Sequence, residues 1–542
     1  MPTSHASTPR GPARHSRSSG RRLASATAIV AASALLLAGC ASGGDSGGGD
    51  ASKNVVNLVT PAQPESMDPQ ISTDSIMGEI ASPIFETLVT TDENLQVTPM
   101  LAESFEANAD NTEYTFVLRE GVKFQDGSEM DADDVVASMN RWLRVSVAAV
   151  DAFAGAEWSK VDDHTVKLTT ASPSFLHLLY LSQVGTAFPA VLPEEVIDKV
   201  GDSPIQDTAD IIGTGPYKFA EWDADQKIVI EKWDDYQSVD APSSGRSGAK
   251  DAQLDQVIFN FVADASTRTL GLQSGQYDAT TELPFDSLEQ FQNDPNLVLD
   301  TYMVGPINLV YSDDPSSPFS NVTNRQAINT GLDRDPIMLA AVGSEELYDL
   351  VHHNMTLGQK AIWDTEVGKA DFNQADVTKA KEMLAEGGYD GGPVVVLANK
   401  DYSEAYNSAV VVVEQLKAMG VDASLDAYEW GAFSEKYRDN RDEWDLVVFP
   451  FGTELDPTQT IGFLPTRAGY FDGPELQALL TKFRSAPTQA DASAIYDEMQ
   501  EWIEETRPMS RIGDAHNVYA ANKDLELPWF DGRFVWWNAH WK

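Results

Sequence analysis

The sequence predicts an α/β protein of two or three lobes, and three observations carry that expectation. From about residue 300 the hydrophobic pattern alternates strand, helix, strand, which implies a right-handed crossover and a sheet covered by helices. Hydrophobic residues make up 42% of 542, with twelve tryptophans, enough for a sizeable packed core rather than a disordered chain. Beyond residue 40 no apolar run approaches the roughly 20 residues that span a bilayer.

In chain order, a basic start with Arg10, Arg14, Arg17, Arg21 and Arg22 leads into an uncharged apolar run, Leu23 to Gly39, that ends at the one cysteine, Cys40. That is the order of a secretory signal, residues 1–39. Leu37-Ala38-Gly39-Cys40 resembles a bacterial lipobox, in which the thiol accepts a diacylglyceryl group and becomes the first mature residue. The plain alternative is an ordinary cleaved signal with an incidental cysteine. Residues 40–53, rich in glycine, read as a flexible tether. With Cys40 the sole cysteine there is no disulfide, so stability must come from the core.

Val55 to Thr60 reads as a first strand, stopped by Pro61 and Pro64, and Ser75 to Leu88 as a helix. Tyr114, Phe116 and Leu118 alternate as a half-buried strand. Asp131 is a natural N-cap for a helix through Arg144, with Val135, Val136, Met139, Trp142 and Leu143 as its core stripe. Val257, Phe259 and Phe261 form a further strand, Thr267 to Ser274 a helix closed by Gly275, and Ala241 to Lys250 a surface loop by composition. Asp376 caps a helix stopped at Gly387, and Ala405 to Met419 is an amphipathic helix stopped at Gly420. Val394 to Leu397, Asp422 to Tyr428 and Asp445 to Phe449 are strands.

The net charge is −46, and the acid excess grows by five once the arginines of the signal are gone. Such a surface repels phosphate, which disfavours nucleic acid and anionic lipid as partners. Gly44-Asp45-Ser46-Gly47-Gly48 matches the nucleophile elbow of serine hydrolases but lies in the tether, without the strand and helix that motif needs. His352-His353 has no second cluster of histidine or cysteine to complete a metal site and reads as an exposed loop. No cofactor is expected.

Seven stretches, in this order, resemble the family 5 solute-binding proteins of ABC importers, the group that takes dipeptides, oligopeptides and nickel. They are Pro99 to Glu106, Tyr114 to Gly127, Asp131 to Arg141, Gly213 to Phe219, Ser274 to Ala279, Arg325 to Ile328 and Tyr428 to Gly431. The resemblance implies a periplasmic-binding-protein-like bilobal clam shell: two mixed-sheet α/β lobes joined by hinge crossings, plus an extra α+β domain on the first lobe. By position, lobe I takes residues 54–83, 205–298 and 511–542, the extra domain 84–204, and lobe II 299–510. The crossings fall close to Met303 to Asn308 and Pro508 to Gly513.

The same resemblance implies that the ligand is enclosed between closing lobes and handed unaltered to a permease. In peptide-binding members an aspartate shortly before an Asp-Pro pair holds the ligand ammonium; here Thr453 takes its place, leaving neighbouring Glu454 as the substitute. Asn399 and Lys400 stand where dipeptide-type members carry an arginine for the ligand carboxylate, and Lys400 offers a point charge without the bidentate fork. Lobe I is expected to contribute Thr73, Asp74 and Ser75, and lobe II the aromatic walls Tyr402, Trp430, Phe449 and Phe451 with Gly452. The expected protein is thus a non-enzymatic, monomeric receptor, lipid-anchored through Cys40 on the outer face of the bacterial cell membrane. It captures peptide-like solutes for the transmembrane subunits of an ABC permease. Two rivals share or replace this reading: the same fold binding an opine, metal chelate, haem or oligosaccharide, and an extracellular hydrolase using acidic residues.

Overall fold

The computed structural model describes residues 54–542 apart from 151, 357–358, 360–361, 453, 461–462, 464–468, 470 and 472. The signal, the tether and Cys40 lie outside the described residues, as does Thr453.

One mixed sheet runs through the molecule. Its strands are β1 (Val55–Thr60), β2 (Tyr217–Asp223), β3 (Lys227–Lys232), β4 (Gln256–Phe261), β5 (Ala279–Thr280), β6 (Leu297–Tyr311), β7 (Tyr348–Asp349), β8 (Pro393–Asn399), β9 (Asp422–Tyr428), β10 (Leu446–Pro450) and β11 (Met509–Asn522). They are ordered β9-β8-β10-β6-β11-β5-β1-β4-β3-β2, with β7 paired to β11. The two long strands at the centre, β6 and β11, pair antiparallel along almost their whole length, from Leu297↔Asn522 to Val310↔Met509. At one end β11 pairs β5 through Ala520 and Ala521. At the other, β6 pairs β10 from Ile307 to Tyr311. The sheet is therefore one ribbon with a half at each end of the β6/β11 pair, and β6 is irregular at Met303/Gly305 and Ile307/Asn308 between them.

Each half has its own apolar core. Val56, Leu58, Tyr217, Ile228, Val257 and Phe259 pack with Phe534, Trp536 and Trp537, so the chain's last residues complete the half in which it begins. Leu309, Val394, Val396 and Val448 pack under Val412 and Leu416 of helix α3 (Ser403–Ala418) in the other.

Helix α1 (Ser75–Ala81) stops well before Leu88, because Pro83 supplies no amide hydrogen; Ile84 and Phe85 turn back to the Ala81 carbonyl instead. A separate four-stranded sheet, Ala102–Ala107, Glu113–Leu118, Thr165–Thr169 and Glu157–Asp162 in spatial order, is covered by α2 (Ala132–Val145). Asp131 caps α2 in a full capping box with Asp134, and the helix buries Val135, Met139 and Trp142. The core of this layer continues into α5 (Pro474–Arg484) and α6 (Gln489–Thr506): Trp142, Trp158, Trp363, Phe483 and Tyr496 belong to a single cluster. Periodicity alone assigns those helices to no particular neighbour.

The loop after β1 is pinned to α2 by a fully buried pair. Arg141 Nη2 donates to Asp68 Oδ2 at 2.6 Å, while its Nε reaches the Gly201 carbonyl at 2.6 Å and its Nη1 reaches Gln70 at 2.8 Å. Good geometry and further hydrogen bonds are what make such a pair tolerable out of water.

Two loop expectations are corrected. Within Ala241 to Lys250, Arg246 and Lys250 are buried; Lys250 Nζ meets Glu86 Oε1 at 2.7 Å and Arg246 donates to the carbonyls of Phe530 and Asp531. Polar composition misread a segment whose charges are paired inside. Nor is the His352-His353 pair an exposed loop: His353 is buried, its ring edge-on to Tyr496, and burial pulls its imidazole down to about 4.

Candidate functional site

Strand direction locates the site. β5 and β6 both run antiparallel to β11, and β1 and β4 run parallel to β5, so the first half's parallel strands all point toward the second half. β10 runs antiparallel to β6, and β8 and β9 run with it, so the second half's strands point back. The carboxyl ends of both sets face each other across the middle of β6, the place where open α/β sheets bind ligands. Leu299 is level with Ala520 and hence Thr280, and Ile307 with Pro450, so the interval along β6 is about 25 Å at ~3.3 Å per residue.

On the second half this rim is aromatic. Tyr402 follows β8, Trp430 opens α4 (Trp430–Asp439) just after β9, Phe449 lies near the end of β10 and Phe451 directly follows it. Tyr402 stands edge-on to Trp430 (5.7 Å between centroids) and to Phe449 (5.9 Å). Trp430 stacks on Phe449 (5.7 Å) and Phe433 (5.9 Å), and Phe451 lies edge-on to Phe449 (5.6 Å). Offset and edge arrangements at these distances suit ring quadrupoles. Tyr402 and Trp430 remain 44% and 48% exposed, so the cluster at the strand ends leaves two large rings open. The four aromatic residues named from the sequence thus come together.

The polar candidates divide. Asn399, buried at the end of β8, accepts the amides of Asp401 (2.8 Å) and Tyr402 (3.0 Å) and so shapes the turn that carries the tyrosine; its Nδ2 has no hydrogen-bond partner. Lys400 is exposed and paired with Glu429 at 3.2 Å. Asp401 Oδ2 receives the Trp430 amide at 2.7 Å, which ties the two ring-bearing turns together. Glu454 is half-buried and accepts the Thr460 hydroxyl at 3.1 Å. Gly452 is exposed. Thr73 and Ser75 are exposed at the start of α1, and Asp74 braces its own loop by accepting the Glu65 amide at 2.9 Å.

Three contributors escaped the sequence reading. Gly305 has φ +151°, and a Cβ there would stand 2.1 Å from the Phe451 carbonyl oxygen, so only glycine lets β6 pass beneath Phe451. On the first half Tyr302 of β6 packs on Trp529 (4.6 Å), which stacks on Tyr519 (4.6 Å), a second aromatic group beside the interval. Glu282, two residues beyond the end of β5, meets Arg268 at 3.4 Å. Its position at a strand's carboxyl end was the available signal; pairing carboxylates by sequence in so acidic a chain was not.

A fold of two sheet halves bridged by paired strands, with opposed strand ends between them, is that of a bilobal periplasmic binding protein. The chain belongs to the bacterial extracellular solute-binding proteins, family 5, whose model matches residues 96–469. Among curated relatives, a probable peptide ABC transporter periplasmic-binding protein of Sinorhizobium fredii is 28% identical over 459 residues, covering 80% of this chain and 83% of that one. Among solved structures, the ABC transporter substrate-binding protein CtaP of Listeria monocytogenes superposes with a TM-score of 0.76 at 21% identity over 87% of this chain and 95% of that one. The oligopeptide-binding protein AppA of Bacillus subtilis, solved with a nonapeptide, superposes with a TM-score of 0.70 at 22% identity over 90% and 99%.

Proposed function

We propose that this protein is the capturing component of an ABC importer, taking peptide or peptide-like solutes between its lobes and passing them unaltered to the permease. The observation that carries the reading is the exposed aromatic rim at the opposed strand ends, in a chain of this family. The curated relative named for peptide transport and the nonapeptide in the Bacillus subtilis structure favour peptides as the ligand class. A ligand touching both rims favours the closed state by the contacts it makes only there, and the permease reads that population.

In this proposal residues 54–83, 205–298 and 511–542 form lobe I, 84–204 the extra domain and 299–510 lobe II, with β6 and β11 as the crossings. The ligand meets Tyr402, Trp430, Phe449, Phe451 and Gly452 from lobe II and Thr73, Asp74 and Ser75 from lobe I. Asn399, Lys400, Thr453 and Glu454 are the remaining ligand-binding candidates of this reading. Cys40 carries the lipid that moors a monomer to the extracytoplasmic face of the cell membrane; the arginine-rich start, apolar run and Ala38-Gly39 pair support this.

Isothermal titration against a peptide library tests the reading, with mass spectrometry of any solute retained through native purification. Saturable binding with unchanged peptide is expected; silence toward every peptide beside tight binding of a sugar or chelate overturns the peptide assignment. Glu454→Ala is expected to weaken an amine-bearing peptide, whereas Asp45→Ala in the tether leaves affinity unchanged; equal affinity in both variants removes Glu454 from the site.

A further inference from the structure

The loop Ala241 to Lys250 is docked from several sides. The Arg246 amide donates to the Thr91 carbonyl at 3.0 Å, and its Nη2 donates to the carbonyls of Phe530 and Asp531 at 3.3 and 3.2 Å. Where this loop meets the hairpin of Val89–Thr91 and Val97–Pro99, the turn after α1 and the chain's last segment, the structure leaves a cavity of about 10 Å³. Its lining includes Glu86, Thr90, Arg246, Lys250 and Trp537. We propose that this cavity is a binding site for one monatomic anion, chloride, held by Arg246, Trp537 and Thr90. None of these residues belongs to the aromatic rim, so the inference goes beyond solute capture and is tested apart from it.

Three of the lining side chains carry buried polar atoms with no hydrogen-bond partner among the described residues: Nε and Nη1 of Arg246, Nε1 of Trp537 and Oγ1 of Thr90. Each of the three residues is no more than 2% exposed, so bulk water does not serve them. Buried donors are almost always met, and four such atoms on the residues around one small space call for an acceptor inside it. The acid in the lining has nothing to spare. Glu86 Oε1 accepts Lys250 Nζ at 2.7 Å and the Tyr236 hydroxyl at 2.9 Å, and its Oε2 accepts the Thr214 hydroxyl at 3.0 Å. Lys250 and Glu86 thus cancel as a buried pair, and the ammonium also lies 4.8 Å from the centroid of the Trp537 ring. The Arg246 guanidinium is left as the surplus charge.

The surroundings of Arg246 have the same sign. Burial lowers its guanidinium, Asp531 raises it, Arg533 lowers it and Glu79 raises it. Of the two acids, Asp531 is exposed to water and Glu79 keeps its proton up to about 7. A water molecule in the cavity accepts two hydrogen bonds but has two protons of its own to place, and the carboxylate oxygens beside it are already taken. A monatomic anion accepts from every donor and places none, and its bonds to a guanidinium are charge-assisted. About 10 Å³ is room for a single atom of this kind and excludes phosphate or sulfate.

The test uses the full chain. Thermal unfolding is followed in sodium chloride and in sodium gluconate at equal ionic strength, and crystals grown in sodium bromide are measured at the bromine absorption edge. The unfolding midpoint is expected to climb with chloride and stay level in gluconate, with a bromide peak beside Arg246 and Trp537. Trp537→Phe keeps the ring and drops the N–H, and Thr90→Val drops the hydroxyl; each is expected to move the chloride dependence about tenfold to higher concentration. Arg246→Gln should abolish it, and should that variant fail to fold, the two milder ones decide. A chloride dependence unchanged in both Trp537→Phe and Thr90→Val overturns the proposal, as does equal stabilisation by the two salts. A bromide peak without chloride-specific stabilisation marks an adventitious ion only and overturns it too, and no peak at the cavity gives the space to water instead.

Discussion

Glu79 illustrates how one side chain couples fold to pH. It lies wholly buried on α1, accepting Trp536 Nε1 at 2.7 Å and the Phe534 amide at 3.3 Å from the chain's last segment. Burial pushes its carboxyl up to about 7, against the pull of Arg533 and Arg246. Between its ordinary value near 4.5 and about 7 the folded protein keeps a proton that the unfolded chain has released. The stability Glu79 contributes is then fully present below about 4.5 and lost as pH rises through 7. Glu79→Gln keeps the acceptor for Trp536 and is expected to abolish that fall, a difference of about 3 kcal/mol across the window. Urea unfolding at a series of pH values checks it: parallel wild-type and variant curves would remove Glu79 as the titrating group. None of this was legible from residue 79 in isolation, because the burial comes from a tail more than four hundred residues away.

Among the elements, β6 does the most with the least conspicuous residues. Its passage from one half of the sheet to the other was placed by resemblance near Met303 to Asn308, and the irregularities at Met303/Gly305 and Ile307/Asn308 fall in that stretch. The partner crossing on β11 was expected at Pro508 to Gly513. Met509, Ser510 and Arg511 pair with Val310, Leu309 and Asn308, on the side where β6 has already met β10, while Ala515 and His516 lie opposite Gly305 and Met303. A crossing partner is set by register, which no local pattern encodes. Gly305→Ala should force β6 away from the Phe451 carbonyl, lowering stability by more than about 1 kcal/mol and weakening ligand binding through the displaced Phe449–Phe451 turn. Thermal unfolding and titration of the variant measure both, and a stable, fully binding Gly305→Ala would refute the close-approach argument. α2, by contrast, was readable in full: an N-cap, acidic first turn and apolar stripe sit within fifteen residues, and the structure matches them.

At the scale of the whole molecule, the four-stranded layer and helices α5 and α6 share one core through Trp363, which lies against Phe175, Phe483 and Tyr496. Tyr180 adds a buried hydrogen bond to Asp456 at 2.8 Å, and the Phe175 amide donates to the Ala486 carbonyl. Segments far apart in sequence are thus expected to unfold together. Trp363→Ala should destabilise by about 3–5 kcal/mol and still give a single transition seen alike by far-ultraviolet dichroism and tryptophan fluorescence. Two separated transitions would show that the layer stands alone.

What the sequence by itself determined is whatever short-range chemistry encodes: strand and helix periods, caps, the signal-like start, the acid excess, and the ordered motifs that mark the family. It also named the four rings of the rim, because each directly follows or ends a legible strand. Only the tertiary structure decided that those rings form one cluster, that Lys400 is spent on Glu429, and that Arg246 and Lys250 lie inside. Each of these depends on two chain segments meeting through β6 and β11, and burial and electrostatic pairing exist only once that meeting has occurred.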